Sequence, residues 1–484
     1  MAGMNRRQFM KRSLALAGAG FVVSHAGHRV LGANDTIRLG IAGCGGRGGN
    51  HMDEYMNKMT GVEIAYCIDP DSKRMGSAVN LVEKTQGKRP TGVQDVRKAL
   101  EDKNLDGLSC ASCNHWHTLM TIWTVQAGKD MYVEKPATHN LVEGRIATEI
   151  IRKSKQIVQT GTQRRSEKHW ARMVGITKSG QLGKLLVSHG LASKTRGSIK
   201  FQEPTDPPSH LDWDLWVGPA PMQKYHANLA HYNWHWFWDF GNGEIGNQGV
   251  HQTDCARWAI PGATHPTFVF SLGGRIEYKD QGQTPNTQLT VYDYGDTLLV
   301  FEVCGLVGGK SKGKDGGISR VSNDFLYEAG TVVDGGKFTP RDSAKNAQMP
   351  KIEVELGPGK GAFGNFIAAM RSRRKEDLNA PFEEGHYSAA ICHLGNISYR
   401  LGKDVKWSEV KKKPFEQDFA NERWERIAQH LVENRGLNLD EWLCRIGLPL
   451  KFDPKTEKFI DAPPEATAML TRPPRKPFDV PETA

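Results

Sequence analysis

The chain has few long apolar runs and no blocks of like charge. Beyond the first 26 residues, no stretch reaches the roughly 18 consecutive apolar residues that a membrane-spanning helix needs. The formal net charge is +10, but the charges are spread over all 484 positions. No zinc-finger spacing, RNA-binding signature or arginine stripe accompanies them. We therefore expect no membrane insertion of the mature chain and no nucleic-acid partner.

Closely spaced cysteines are also scarce. The eight cysteines lie at positions 44, 67, 110, 113, 255, 304, 392 and 444, mostly inside apolar runs. This scatter is typical of small buried hydrophobic residues rather than of a disulfide framework. The one close pair, Cys110 and Cys113 in "CASC", leaves a disulfide or a metal site as an alternative, but no second pair completes the usual zinc spacing. We expect no metal site.

The N-terminus accounts for part of the positive charge. The stretch "MNRRQFMKRSLALAGAGFVVSHAG" has a basic start, a short apolar run and small residues suited to cleavage, which is the anatomy of a signal peptide. The pair Arg6-Arg7 resembles a twin-arginine signal, which exports folded proteins; an ordinary secretory signal is the alternative. Cleavage after Ala26 would lower the net charge from +10 to +6. We expect residues 1–33 to be a signal peptide and linker, and the protein to be periplasmic or secreted.

A glycine pattern stands in the segment "TIRLGIAGCGGRGGNHMDEYM", between a β-rich run and a segment that can be helical. Gly43 permits a tight turn, Gly45 lets the backbone approach a pyrophosphate, and Gly48 lets the helix pack closely on the strand. The helix N-terminus then presents free N–H groups to phosphates. The alternative is a glycine turn that binds nothing. In this strand–turn–helix context, the pattern predicts a dinucleotide-binding site.

A second strand, "VEIAYCID", ends in Asp69. A carboxylate at this position accepts a hydrogen bond from a ribose 2′-hydroxyl and repels a 2′-phosphate, which favours NAD over NADP. Arg47 and Arg74 keep NADP as the less favoured alternative.

The pattern continues as a doubly wound parallel sheet requires. A helix-like "VRKALEDK" precedes the strand "LDGLSCAS", another helix covers roughly 117–127, and "GKDMYVEKPATHN" contains a short strand ending at Glu134-Lys135-Pro136. A lysine at the carboxyl end of a parallel strand lies where such sheets bind ligands. The run "QIVQTGTQRR" then adds a strand with Gln163 and Arg164 at its end. We expect residues 34–162 to form a Rossmann domain.

Alternating runs dominate the next part of the chain. "TFVFSLGGRIEY", "TQLTVYDY" and "TLLVFEVCGL" predict an α+β domain over residues 163–402 with a large, mostly antiparallel open sheet. The stretch "GLVGGKSKGKDGGISR" is expected to be a flexible loop. Residues 403–484 form a C-terminal extension, in which we expect a helix at "NERWERIAQHLVENRG" and a proline-rich end that wraps over the surface.

Three motifs now carry a family resemblance. "GIAGCGGRG", "NHWHTLMTIWTVQAGKDMYVEKP" and "GNQGVHQTD", in this order within residues 36–402, resemble the Gfo/Idh/MocA oxidoreductase family. The chain is most similar to its exported branch, which carries twin-arginine signals, "GTQRR" and "CHLGNISYRLGK". The resemblance implies an NAD-dependent enzyme acting on CH–OH groups of a carbohydrate or glycoside, assembled as a homo-oligomer (dimer or tetramer).

The resemblance also implies site residues. The lysine of "EKP", here Lys135, would lie beside the nicotinamide and the substrate hydroxyl. The family's second motif is an aspartate four residues before a histidine; the histidine matches His251, but Asn247 stands at the aspartate position. We therefore expect Lys135 and His251 to be catalytic. The expected cofactor-binding residues are Gly43, Gly45, Arg47, Gly48, Asp69, Asn114, His117, Glu134, Lys135 and Gln163.

The segment "HYNWHWFWDFGNGEIGNQGVHQTD" is rich in aromatic residues and then in glycine. Trp234, Trp236 and Trp238 alternate at strand spacing, with His235 on the other face. Sugar rings lie flat on aromatic side chains, so we expect some of these to contact substrate; the alternative is that they pack a core or a subunit interface. The glycines of 241–249 would let the backbone approach ligand and cofactor. The expected substrate-binding residues are Asn247, Trp234, Trp236, His235 and Arg164.

Oxidation of a sugar carbinol requires a group that removes the hydroxyl proton. A lysine whose charge is disfavoured by its surroundings can do so near neutral pH, and histidine needs little tuning. An exported enzyme meets little free NAD, so we expect a tightly bound cofactor that is recycled within each turnover. The alternatives are a redox-neutral NAD-dependent glycoside hydrolase and a protein that binds NAD or sugar without catalysis.

Overall fold

The computed structural model describes residues 35–307, 318, 320–333 and 336–481. The predicted signal peptide and most of the glycine- and lysine-rich loop lie outside the described residues. The α-helices are α1 (Gly46–Asn57), α2 (Ser72–Gln86), α3 (Val96–Leu100), α4 (Asn114–Gln126), α5 (Leu141–Lys153), α6 (Lys168–Ser179), α7 (Trp213–Val217), α8 (Gly243–Asn247), α9 (Gly249–Ala259), α10 (Gly361–Ser372), α11 (Phe382–Arg400), α12 (Asp418–Gln429) and α13 (Pro464–Ala468). A π-helix, His430–Asn434, continues α12.

The strands are β1 (Ile37–Ala42), β2 (Val62–Ile68), β3 (Thr91–Val93), β4 (Gly107–Cys110), β5 (Asp130–Val133), β6 (Val158–Thr160), β7 (Leu185–Ser193), β8 (Phe268–Gly274), β9 (Thr287–Asp293), β10 (Leu298–Cys304), β11 (Val321–Tyr327), β12 (Gly330–Val333), β13 (Lys337–Pro340), β14 (Lys403–Lys406), β15 (Leu443–Ile446), β16 (Leu450–Asp453) and β17 (Lys458–Ile460). Among the described residues, no helix has the length and apolar character that a membrane crossing requires.

The first six strands form one parallel sheet in the order β3-β2-β1-β4-β5-β6. The chain order reverses between β1 and β4, which leaves a crevice at their carboxyl ends, where doubly wound sheets bind ligands. The predicted fold class is confirmed: an α/β protein with an N-terminal Rossmann domain and a second, mostly antiparallel sheet.

Residues from the last third of the chain complete the core of the Rossmann domain. On one side, Phe363 and Phe366 of α10 are buried with Leu39 of β1. On the other, Phe382 and Phe478 are buried in the cluster that contains much of α4. The proline-rich end, which we expected to wrap over the surface, therefore inserts a buried side chain into this domain.

The second sheet has eleven strands, nine of them in the order β13-β12-β11-β7-β10-β9-β8-β15-β14, with β16 and β17 attached beside β8. The β7–β10 pair is parallel and the other pairs are antiparallel. Strands β14 to β17 come from the C-terminal extension. This extension is thus an integral part of the sheet.

Both faces of the second sheet are buried. Along β10, Leu299, Phe301 and Val303 belong to a core cluster shared with α9 and α11. Val300 and Cys304 point the opposite way, as the pleat requires, into a second cluster with α12 and the π-helix. The eight cysteines are free thiols, and six of them are buried.

The prediction of a strand at Trp234–Trp238 was wrong, because Asn233–Trp236 is a short 3-10 helix. Trp234 and Phe237 instead belong to a small aromatic core with Trp216 and Phe240. Burial in this core overrode the period-two pattern.

The glycine-rich stretch that follows is mostly helical, in α8 and α9. Its glycines permit close packing inside the protein rather than against a ligand: a Cβ at Gly249 would lie 2.7 Å from Phe301, and one at Gly241 would lie 2.5 Å from the His235 backbone.

Candidate cofactor and substrate site

A cavity of about 360 Å³ lies at the carboxyl ends of the parallel strands. It is bounded by the loops after β1, β2, β4 and β5 and, from the second domain, by α7 and the segment that precedes α8. The predicted site residues that line it are Gly43, Gly45, Arg47, Asp69, Asn114, His117, Glu134, Lys135, Trp234, His235 and Asn247. The crevice of the Rossmann sheet is therefore closed into a cavity by the second domain.

Two glycines of the dinucleotide-binding pattern lie where a side chain would collide with the backbone. Gly43 has a φ of +84°, and a Cβ there would lie 2.6 Å from the carbonyl oxygen of Ala111. A Cβ at Gly48 would lie 1.8 Å from the carbonyl oxygen of Gly43. Helix α1 begins after Gly45 without a side-chain cap, so its first N–H groups remain available to a phosphate.

Asp69 follows β2 and is buried at the edge of the cavity. Its carboxylate accepts hydrogen bonds from the backbone N–H of Cys44 at 2.8 Å and of Asp71 at 2.9 Å. Burial raises the pKa of Asp69, and these two bonds oppose the shift. Because each carboxylate oxygen can accept two hydrogen bonds, room remains for a ribose hydroxyl.

Glu134 is the hub of a buried polar network. Its Oε1 accepts from Arg47 Nε at 2.7 Å and Gln163 Nε2 at 3.2 Å, and it contacts His51 Nε2 at 3.1 Å. Burial alone would raise the pKa of Glu134, but the contacts with His51 and Arg47 outweigh it and hold the pKa well below its usual value. The ionised carboxylate holds the guanidinium of Arg47 at the N-terminus of α1.

Lys135 stands directly after Glu134, between β5 and α5. Its Nζ donates a hydrogen bond to the backbone carbonyl of Asn247 at 3.0 Å. Burial lowers the pKa of Lys135, although the carboxylate of Glu134 works against this. The pKa of Lys135 is thus shifted in the direction that favours the neutral amine, the form that can accept a proton.

Two histidines in this region are held neutral. Burial lowers the pKa of His251, on α9, to about 3 and that of His235 likewise to about 3. The His235 ring stacks on Trp234 with ring centroids 3.6 Å apart. His117 faces the carbonyl oxygens of Pro136 at 2.7 Å and Ser112 at 3.0 Å, and burial lowers its pKa as well.

Five predicted site residues lie outside the cavity lining, namely Gly48, Gln163, Arg164, Trp236 and His251. Gly48 packs against the carbonyl oxygen of Gly43, and Gln163 donates a hydrogen bond to Glu134, as described above. Arg164 lies over the Trp170 ring at 4.4 Å and donates to Asn323 at 3.1 Å, so it is engaged elsewhere. Trp236 packs under Arg196 at 5.5 Å. As direct substrate contacts, Arg164 and Trp236 are not supported, because both side chains are turned into the second domain.

Sequence reasoning missed the lid over the cavity. Trp216 and Leu215 of α7, together with His231 and Tyr232, line it from the second domain. His231 Nε2 and His210 Nδ1 lie 3.0 and 3.1 Å from the Asp71 carboxylate, which ties the lid to the turn after β2. Only the density of aromatic residues in this region signalled such a structure.

Comparison with known families identifies the two domains. Residues 37–162 match the family described as an oxidoreductase family with an NAD-binding Rossmann fold, and residues 190–271 match the C-terminal alpha/beta domain of the same family. Residues 37–162 and 190–271 therefore belong to the Gfo/Idh/MocA oxidoreductase family. The Rossmann domain is accordingly an NAD-binding domain, as the glycine pattern predicts.

Curated relatives match about a third of the chain. Inositol 2-dehydrogenase 2 of Saccharopolyspora erythraea is 27% identical over 157 residues, which cover 32% of this chain and 45% of that protein. The glycosyl hydrolase family 109 protein of Shewanella pealeana is 31% identical over 156 residues, covering 28% and 34%. The chain thus spans less than half the length of these relatives.

A solved structure extends the likeness in fold to the second domain. The WlbA dehydrogenase from Bordetella pertussis, solved in complex with NADH and UDP-GlcNAcA, superposes with a TM-score of 0.54 at 17% identity. The superposition covers 74% of this chain and 94% of that chain. The fold of that structure is therefore shared over 74% of this chain.

Proposed function

We propose that this protein is an NAD-dependent oxidoreductase that acts on a CH–OH group of a carbohydrate or glycoside. One observation carries the proposal: a half-buried lysine, Lys135, opens into the same cavity as Gly43 and Gly45. The group that would remove a proton and the site that would bind a dinucleotide therefore share one cavity. Three named relatives support it, being an inositol dehydrogenase, a glycosyl hydrolase and a UDP-sugar-bound dehydrogenase.

The residues present fit NAD. The uncapped N-terminus of α1 and the Arg47 guanidinium suit the pyrophosphate, and Asp69 suits the ribose of the adenosine half. Asn114 and His117, at the start of α4, face the same cavity. NAD, when bound, supplies the acceptor for a hydride.

Lys135 supplies the base. In the substrate-bound enzyme its neutral Nζ accepts the hydroxyl proton as the carbinol is oxidised, and the ionised Glu134 beside it stabilises the resulting ammonium. Asn247 cannot titrate, but its amide can hold a hydroxyl in place. Trp234 offers an apolar face to the sugar ring. His251 does not line the cavity, so its imidazole would exchange a proton with the substrate through a water.

Export and cofactor retention complete the proposal. A twin-arginine signal suits a protein that must collect its nucleotide in the cytoplasm, and the aromatic lid over the cavity suits slow release. Nanomolar affinity corresponds to about −12 kcal/mol, which is within reach of a buried dinucleotide. Each hydride taken from substrate would then return to the same sugar or to a second one before the next turnover.

The test has two arms on the purified full-length protein. Mass spectrometry of the supernatant after denaturation should recover NAD, and incubation with a panel of sugars and glycosides without added cofactor should change one of them. Recovery of NADP would overturn the assignment of Asp69. Steady accumulation of reduced nicotinamide from added NAD would overturn recycling and leave a plain dehydrogenase. Cleavage of a glycoside without net oxidation would identify the alternative, a redox-neutral hydrolase, whereas no change in any sugar would overturn catalysis.

A further inference from the structure

A cluster of metal-ligating side chains lies away from the cofactor cavity. His265 precedes β8, His386 lies on α11, and Glu457 lies between β16 and β17. Their ligand atoms all lie within 4.8 Å of one another, and the three residues are buried. None of them lines the cofactor cavity. The proposed oxidoreductase therefore makes no use of them.

The distances within the cluster suit a tetrahedral ion. Glu457 Oε1 lies 2.9 Å from His265 Nε2 and 3.1 Å from His386 Nε2. Metal–ligand bonds of about 2.0–2.1 Å at tetrahedral angles place neighbouring ligand atoms about 3.3 Å apart. An ion would therefore need these atoms to separate by only a few tenths of an ångström.

Hydrogen bonding alone leaves the cluster incomplete. The Nδ1 atoms of His265 and His386 and the Oε2 atom of Glu457 are buried and have no hydrogen-bond partner among the described residues. Buried polar atoms in native proteins are nearly always satisfied. A cation bound at this point would be coordinated by the unpaired Oε2 atom of Glu457.

A neighbouring pocket and the backbone conformation of Glu457 also support a binding site at this cluster. A pocket of about 200 Å³ reaches His386 and Glu457. Glu457 has a φ of +53°, in the left-handed region that residues other than glycine rarely adopt. This conformation is held at the residue whose carboxylate points into the cluster.

We propose that His265, His386 and Glu457 form a binding site for a divalent transition-metal ion, with Zn²⁺ as the best match. Two imidazole ligands select against Mg²⁺ and Ca²⁺, and two histidines with one glutamate form a known zinc ligand set. The ion would tie the C-terminal extension, through the β16–β17 turn, to α11 and to the start of β8. Its role would be to stabilise the junction between these segments.

The test uses the full-length protein after treatment with a chelator. Isothermal titration with Zn²⁺ should show one tight ion per chain, and the melting temperature should rise with bound Zn²⁺. Co²⁺ should give the intense visible bands of a four-coordinate site. Glu457→Gln, which keeps the shape of the side chain, should weaken Zn²⁺ binding at least about tenfold, and His386→Ala should weaken it further.

The exposed His169 serves as a matched control, because His169→Ala removes an imidazole outside the cluster. This variant should bind Zn²⁺ as the wild type does. If His386→Ala fails to fold, the Co²⁺ spectrum of the wild type and the Glu457→Gln titration decide the matter. A spectrum of six-coordinate aqueous Co²⁺, or equal Zn²⁺ affinity in wild type and Glu457→Gln, would overturn the proposal.

Discussion

The side-chain amine of Lys135 donates a hydrogen bond to the backbone carbonyl of Asn247 across 3.0 Å. This bond joins the loop after β5 of the Rossmann domain to the end of α8 in the second domain. It places the amine at the junction of the two domains, beside both the cofactor cavity and the residue that replaces the family aspartate. The backbone carbonyl holds the amine in place without contributing a charge.

Replacing Lys135 by alanine should lower kcat/KM by about 10²–10⁴-fold, the contribution of a positioned acid–base group. NAD binding should change little, because the phosphate and ribose contacts lie elsewhere in the cavity. Steady-state kinetics and calorimetric NAD binding measure the two effects. Lys98→Ala, at an exposed position on α3, is the control and should leave both unchanged. Full activity of Lys135→Ala would contradict the assignment.

The rate should rise with pH through the pKa of Lys135. The neutral amine is the active base, and burial lowers its pKa from 10.5, so the rise should occur below the pH at which an exposed lysine titrates. His251, with a pKa of about 3, is already neutral and should add no limb between about pH 5 and 8. The kcat/KM profiles of wild type and His251→Asn should therefore share one shape. An acid limb near pH 6.5 that disappears in the variant would contradict this.

Asp69→Asn should reduce the preference for NAD over NADP. The neutral side chain no longer repels a 2′-phosphate, and it accepts hydrogen bonds less well from the Cys44 and Asp71 amides. We expect the ratio of the two affinities to fall at least about tenfold, which corresponds to about 1.4 kcal/mol. Competitive titration of the cofactor-free protein measures the ratio. Asp53→Asn, exposed on α1, should leave it unchanged.

Trp424→Ala should lower the free energy of unfolding by about 3–5 kcal/mol, as expected for a buried tryptophan. Trp424 stacks on Trp407 with ring centroids 4.7 Å apart, beneath the outer face of the second sheet. Denaturant unfolding with a common m-value measures the change. Val432→Ala, in the neighbouring π-helix but 48% exposed, should change it by less than about 0.5 kcal/mol. Equal effects of the two substitutions would contradict the packing.

The Rossmann domain could be predicted from the sequence because its signals are local. Gly43 and Asp69 each follow directly on a β-strand, and the sheet then determines where they lie. Their positions at the cavity agree with that prediction, while their roles in binding stay predictions.

The second domain resisted prediction because its contacts are not local. Trp236 and Arg164 sit in the right motifs, but their direction depends on side chains far away in the sequence, Arg196 and Asn323. The lid residue Trp216 carries no periodic signal, since α7 has only five residues. The histidine–glutamate cluster joins positions 265, 386 and 457, a separation that no spacing rule could connect.

The insertion of α10 and Phe478 into the Rossmann core has a consequence for biosynthesis. A ribosome releases β1 first, yet Leu39 finds Phe366 only after more than three hundred further residues have been added. The growing chain must therefore keep an unfinished apolar surface protected for most of its translation. Chaperone capture of the nascent chain should therefore persist until α10 and Phe478 have emerged from the ribosome.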